Sequence, residues 1–213
     1  ISYFETFGFL ELRQLFPADE IAAFIDEADG LMGALEGRRS GPSHHAISPF
    51  LECGEALAHL PEDDRIYGPI GKLLGPGFVW GGSEGVSGSF NETNDHEWHS
   101  DRGGQIDLQY RRIKIMIYLQ PMRKEAGALR LIPGSHHAPF HRRLMQLQTQ
   151  GRSQEIFGVD GCDLSCFPVE VDPGDVVMFD HYLFHAVFGK QDVRRYIVLK
   201  YAARPETEEQ YEA

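Results

Sequence analysis

Cysteine is scarce in this chain: Cys53, Cys162 and Cys166 are the only three in 213 residues, an odd number that excludes a disulfide-built scaffold. Cys162 and Cys166 stand four apart, but no second pair exists to complete a tetrahedral zinc site. Three isolated thiols suit a reducing compartment, and a cytoplasmic location is expected. No apolar run approaches the length of a membrane span, so no membrane association is expected. A basic-then-apolar leader is missing too, although the chain opens on Ile1 and a preceding segment stays open. Basic residues are outnumbered, 20 against 32 acidic, for a net charge of −12. That balance argues against nucleic acid, whose phosphates require clustered cations. No internal repeat or low-complexity linker divides the chain.

What is present fits one globular domain, with 42% hydrophobic and 24% charged residues. The first third, to about residue 76, reads mainly as helical. Phe9 to Leu15 alternates like an early strand, and Pro17 then opens a helix. Ile21, Phe24, Ile25, Ala28, Met32 and Leu35 recur along it at helical spacing, with Gly37 at its end. A polar loop over 38–50 holds His44 and His45, which are adjacent and would point opposite ways in an extended chain. Ile66 to Leu74 is a second helical patch, closed by Gly75-Pro76-Gly77. From residue 77 to about 202 the texture changes to short apolar runs punctuated by Gly, Pro, Asn and Asp, which indicates antiparallel strands. The Gly- and Ser-rich run from Phe78 to Asn91 could leave room for a bound cosubstrate. Residues 203–213 read as a solvated acidic tail. Short strands after a helical section predict a double-stranded β-helix, the jelly roll of cupins, with the early helices buttressing one sheet.

The chemistry concentrates in His99-Ser100-Asp101, the distant His185, and Arg194-Arg195 close behind it. Two imidazoles and one carboxylate can occupy a single face of an octahedral metal and leave the opposite positions open, the ligand set of non-haem Fe(II) oxygenases. His99 and Asp101 are two apart, so one strand end can present both on one side. An arginine next in line offers a planar fork for a carboxylate. Residues 111–120, RRIKIMIYLQ, put Ile113, Ile115, Ile117 and Leu119 on one face and Arg112, Lys114, Met116 and Tyr118 on the other. Periodicity alone does not say which face is interior. His136, His137 and His141 cluster nearby, and His136 is expected to brace its loop by hydrogen bonds.

Trp98 with His99-Ser100-Asp101, the stretch GALRLIPGSHH at 127–137, and DPGDVVMFDHYLFHAVFG at 172–189 together resemble the phytanoyl-CoA dioxygenase (PhyH) family of 2-oxoglutarate oxygenases, which includes ectoine hydroxylases. The resemblance runs over nearly the whole chain, from GFLELRQLFPADEIAAFIDEADGLM to VRRYIVLKY. It implies Fe(II) held by His99, Asp101 and His185, with 2-oxoglutarate and O2 as cosubstrates. Arg194 matches the arginine that grips the distal carboxylate of 2-oxoglutarate, with Arg195 as the alternative because the spacing from His185 is short. The resemblance also favours the reversed reading of the 111–120 strand: isoleucines under the helices, Lys114 and Tyr118 inward, Met116 lining the cavity, and Lys114 assisting with an oxoacid carboxylate. Hydroxylation of a small-molecule metabolite is the implied activity. Arg102 and Tyr196 are placed beside the substrate, and Arg102, Arg112 and Lys114 together would suit an anionic group on it. Residues 138–167, with a helix around Phe140–Leu147, would suit a lid. A cupin-like metalloenzyme working without 2-oxoglutarate, and an inactive relative serving as a binding module, stay as alternatives; a halogenase is disfavoured because Asp101 is retained. Substrate identity and oligomeric state are not legible.

Overall fold

The computed structural model describes residues 1–36, 45–88, 96–101, 107–150, 153–189 and 194–212. The order of elements is α1 (Ser2–Phe7), β1 (Phe9–Leu12), α2 (Ala18–Glu36), β2 (His45–Ile47), α3 (Asp64–Leu74), β3 (Val79–Gly88), β4 (His96–His99), β5 (Arg112–Tyr118), β6 (Ala126–Leu131), α4 (Ala138–Gln150), α5 (Ser153–Phe157), β7 (Phe167–Val169), β8 (Val176–Asp180), β9 (His185–Gly189), β10 (Arg194–Ala202) and α6 (Glu208–Glu212). Two sheets form, and the strand pairs in both are antiparallel: β1-β8-β5-β10-β3-β2 and β4-β9-β6-β7. This is the expected mainly-β jelly roll with flanking helices.

Three apolar clusters order the layers. Ile113, Ile115, Ile117, Leu119, Ile197 and Leu199 turn out of the six-stranded sheet and pack beneath Ile21, Phe24, Ala28 and Met32 of α2 and Ile66, Ile70 and Leu73 of α3. The opposite face of that sheet presents Met116, Tyr118, Val177, Phe179, Tyr196 and Val198 to Leu129, Leu131 and Val187 of the smaller sheet. On the far side of the smaller sheet, Trp98, Phe184, Ala186 and Phe188 are covered by Leu144 and Leu147 of α4. The faces of the 111–120 strand are therefore reversed from an ordinary solvated strand. Its isoleucines find helices, and its polar face lines the interior.

Several local expectations are modified. β1 stops at Leu12, before Gln14 turns into the left-handed region at φ 47. α1, α5 and β2 were not anticipated, and β1 and β2 join the larger sheet at its two edges, so the first third is not purely helical. α2 begins directly after Pro17 as predicted, while Gly37 and His44 lie outside the described residues. α3 starts at an Asp63 cap whose side chain accepts from Arg65 N and ends before Gly75 at φ 83. The tail carries the short α6, and Gln210 Nε2 donates to Asp107 Oδ2 at 2.9 Å. Room created by the glycine-rich β3 serves packing on its outer face: a Cβ on Gly85 would lie 2.4 Å from the buried Phe50 ring. No described helix is long and apolar enough to cross a membrane.

Candidate metal centre

β4 and β9 pair so that His99 stands opposite His185, and the chain then turns at Ser100 to deliver Asp101. One ligand atom from each of His99, Asp101 and His185 falls within 4.8 Å of the others, the one such group of three among the described residues. Local backbone sets each imidazole. His99 Nδ1 lies 2.7 Å from Glu97 O, and His185 Nδ1 lies 3.0 Å from Leu183 O. In both rings Nδ1–H donates to a carbonyl two residues back, which leaves Nε2 with its lone pair facing the centre. Phe179 closes on the His185 ring at 5.2 Å between centroids.

Burial lowers the His185 pKa to about 4 against the opposing pull of Asp101, so the ring is neutral near pH 7, the form that ligates a metal. Burial alone would raise the Asp101 carboxyl. The neighbouring imidazoles and the Lys114 ammonium outweigh it and hold the group well below the usual carboxylate range. Asp101 Oδ1 faces His185 Nε2 at 3.8 Å, while Oδ2 accepts from Lys114 Nζ at 3.1 Å. Lys114 thus orients the carboxylate from the side away from the imidazoles. Two imidazole nitrogens and one carboxylate oxygen suit a divalent first-row metal.

The triad opens into a cavity of about 180 Å³ between the sheets, whose walls include Lys114, Met116, Phe179, Val187, Arg194 and Tyr196. Strand register places Arg194 opposite Gly88 and Tyr196 opposite Tyr118, whereas Lys114 pairs in register with Lys200. Arg194 therefore lies toward one end of the cavity and the Lys114–Asp101 pair toward the other. The Arg194 side chain is 1% exposed, with its guanidinium 5.1 Å from the centre of the Tyr196 ring. Arg195 points the other way and pairs with Asp29 of α2 on the surface. Burial keeps the phenols of Tyr118 and Tyr196 protonated.

Of the residues singled out from sequence, His99, Asp101, His185, Lys114, Met116, Arg194 and Tyr196 come together around this one cavity. Arg102 lies outside the described residues. Arg112 is buried over the Tyr110 ring and is not part of the cavity wall. Trp98 faces outward, its indole N–H donating to Gly161 O at 2.9 Å. His136 braces its loop, with Nε2 3.2 Å from Glu5 O. Two ionisable wall residues were missed, Glu84 and His96. A strict two-residue period from His99 would put His96 on the opposite face. A bulge between them inserts an extra residue and returns the exposed His96 to the cavity side of the strand. Glu84, paired with Lys200, stood in a glycine-rich run that carries no periodic signal. The lid expected over 138–167 is not formed by its described residues: none of them lines the cavity, and α4 packs on the outer face of the smaller sheet.

The double-stranded β-helix thus brings a His-Asp-His group to one end of its interior and a buried arginine to the other, and that donor set can hold a single divalent metal. Residues 88–191, which carry the triad, match the family model of phytanoyl-CoA dioxygenase (PhyH). No curated protein matches the sequence. Among solved structures, HygX from Streptomyces hygroscopicus with nickel and 2-oxoglutarate bound is similar at 19% identity, covering 96% of this chain and 86% of its own, with TM-score 0.72. EctD from S. alaskensis with bound Fe gives 20% identity, 95% and 75% coverage, and TM-score 0.73. The α-ketoglutarate-dependent carbocyclase SnoK from nogalamycin biosynthesis gives 18%, 95% and 82%, and 0.71.

Proposed function

We propose that this protein is an Fe(II)- and 2-oxoglutarate-dependent dioxygenase that hydroxylates a C–H bond of a small-molecule metabolite. One observation carries the reading: a three-ligand centre and a buried arginine share a single cavity. His99 Nε2, His185 Nε2 and Asp101 Oδ1 are the atoms that would hold the iron. Bound iron supplies the O2 activation that is coupled to oxidative decarboxylation of 2-oxoglutarate to succinate and CO2.

The chain's own residues bind and orient. Arg194 offers a planar fork for the distal carboxylate in a poorly solvated site, where a charge-assisted pair is strongest. Tyr118 and Tyr196, kept protonated by burial, flank it. Met116, Val198 and Leu129 supply the apolar part of the cavity wall. Lys114 fixes the metal-facing oxygen of Asp101 by holding the other. No side chain is needed as a general acid or base. The three free thiols accord with the cytoplasm as the site of action.

The test is an anaerobic titration of Fe(II) and then 2-oxoglutarate, followed by visible spectroscopy. A weak charge-transfer band that appears only with both present is the expected result. Admission of O2 should then release succinate, and a substrate screen by mass spectrometry should find a product heavier by one oxygen. A protein that binds Fe(II) with no spectral response to 2-oxoglutarate would refute the reading. A product lacking the added oxygen would refute hydroxylation and retain the oxygenase.

A further inference from the structure

We infer that Gln148 of α4 is a positioning residue for the metal ligands, acting through the backbone of Ser100 between His99 and Asp101. This rests on the reading of the triad as a metal centre. β4 is the edge strand of its sheet, and its pairing with β9 ends at His99 opposite His185. The peptide groups of Ser100 therefore lie past the ladder, in a residue only 1% exposed, where water cannot satisfy them. The Gln148 carboxamide does so. Ser100 N donates to Gln148 Oε1 at 3.2 Å, and Gln148 Nε2 donates to Ser100 O at 3.1 Å. One side chain thus reproduces the two-bond exchange of an antiparallel residue pair and extends the strand by one residue.

The rest of α4 is built for the same seat. His141, Leu144 and Gln148 are spaced to share one helix face. His141 is 3% exposed, with Nε2 3.3 Å from Ser100 Oγ, and burial lowers its pKa toward the neutral form. Leu144 and Leu147 are buried among Trp98, Phe184, Ala186 and Phe188, which fixes the helix against the two ligand-bearing strands. On the other side of the turn, Asp101 N donates to His181 O at 3.1 Å. The turn between the two ligands is therefore held from both sides, and α4 supplies one of the two grips. Residues 138–150 act on the metal centre as a strut from outside the barrel.

The experiment uses Co(II) alone, titrated into the metal-free full chain and followed by its visible d–d bands, for wild type, Gln148→Met and Leu147→Ala. Gln148→Met keeps the stem and removes both hydrogen bonds. The expected outcome is a loss of about tenfold in Co(II) affinity, the scale of outer-sphere substitutions at metal sites, with an altered band shape and a Tm lowered by a few degrees because two buried peptide groups lose their partners. Leu147→Ala leaves Leu144 to seat the helix and Gln148 to bond Ser100, so it should lower Tm by several degrees with a much smaller loss of affinity than Gln148→Met. Equal affinity and spectra in wild type and Gln148→Met would overturn the inference, as would an equal loss of affinity in Leu147→Ala. A wild-type chain that binds no Co(II) is a distinguishable result, since it overturns the metal-centre reading itself.

Discussion

Replacing Arg194 by alanine separates the two adjacent arginines more sharply than any other change. The Arg194 guanidinium is buried at the end of the cavity, whereas the Arg195 side chain is 30% exposed and pairs with Asp29 at the surface. Truncating one partner of a buried, hydrogen-bonded charge pair costs about 3–4 kcal/mol, because the surviving carboxylate is left without compensation in a dry site. At about 1.4 kcal/mol per decade this is roughly a 100- to 1,000-fold weaker affinity for 2-oxoglutarate. Arg195→Ala loses a surface ion pair, worth about 0–1 kcal/mol of stability, and a hydrogen bond to Gln120 Oε1, and should leave cosubstrate affinity unchanged. Arg194→Lys keeps a charge but not the fork, and should fall between the two. Isothermal titration of 2-oxoglutarate into Mn(II)-loaded protein without O2 reads all three, with Tm as a control for folding. If Arg195→Ala weakens binding and Arg194→Ala does not, the assignment of the cavity arginine is wrong.

Three further outcomes are expected. Asp101→Ala removes a ligand and leaves the Lys114 ammonium without its carboxylate, so metal binding should weaken and coupled succinate formation should cease while the far-UV circular dichroism stays near wild type; succinate release at wild-type rates would remove Asp101 from the centre. Asp180 is buried and its pKa is raised to about 7, so the folded state holds a proton that the unfolded chain has lost above its ordinary value of 3.8. Its stabilising contribution is thus present at low pH and declines as pH rises toward 7. Asp180→Asn keeps an acceptor for Tyr182 N and should flatten that decline, so in denaturant titrations of metal-free protein the variant should gain on wild type from pH 5 to pH 8; parallel curves would refute it. Gly85→Ala would drive a Cβ to 2.4 Å from the enclosed Phe50 ring, and overpacking of this kind costs about 1–3 kcal/mol, visible as a lower Tm with metal affinity unchanged.

The fold class and the three residues that meet as a candidate ligand set were legible in the linear sequence, His99 and Asp101 from their local spacing and the distant His185 through the family resemblance. His99 and Asp101 sit two apart on one strand end, and short punctuated runs can only build sheets. The alternation of 111–120 defined two faces without saying which was interior, since a period of two is unchanged when a strand is turned over. The packing of α2 and α3 on Ile113, Ile115 and Ile117 decided it, and so sent Lys114 and Met116 into the cavity. Arg194 and Arg195 pose the same problem at adjacent positions. Sequence requires them to diverge, and only the neighbours of β10 determine which one is buried. His96 was hidden because a bulge breaks the period that a strand reading assumes. Gln148 was hidden because it meets Ser100 across 48 residues of sequence. No spacing rule reaches that far: such contacts exist only after the sheets have closed and α4 has found the outer face of β4 and β9.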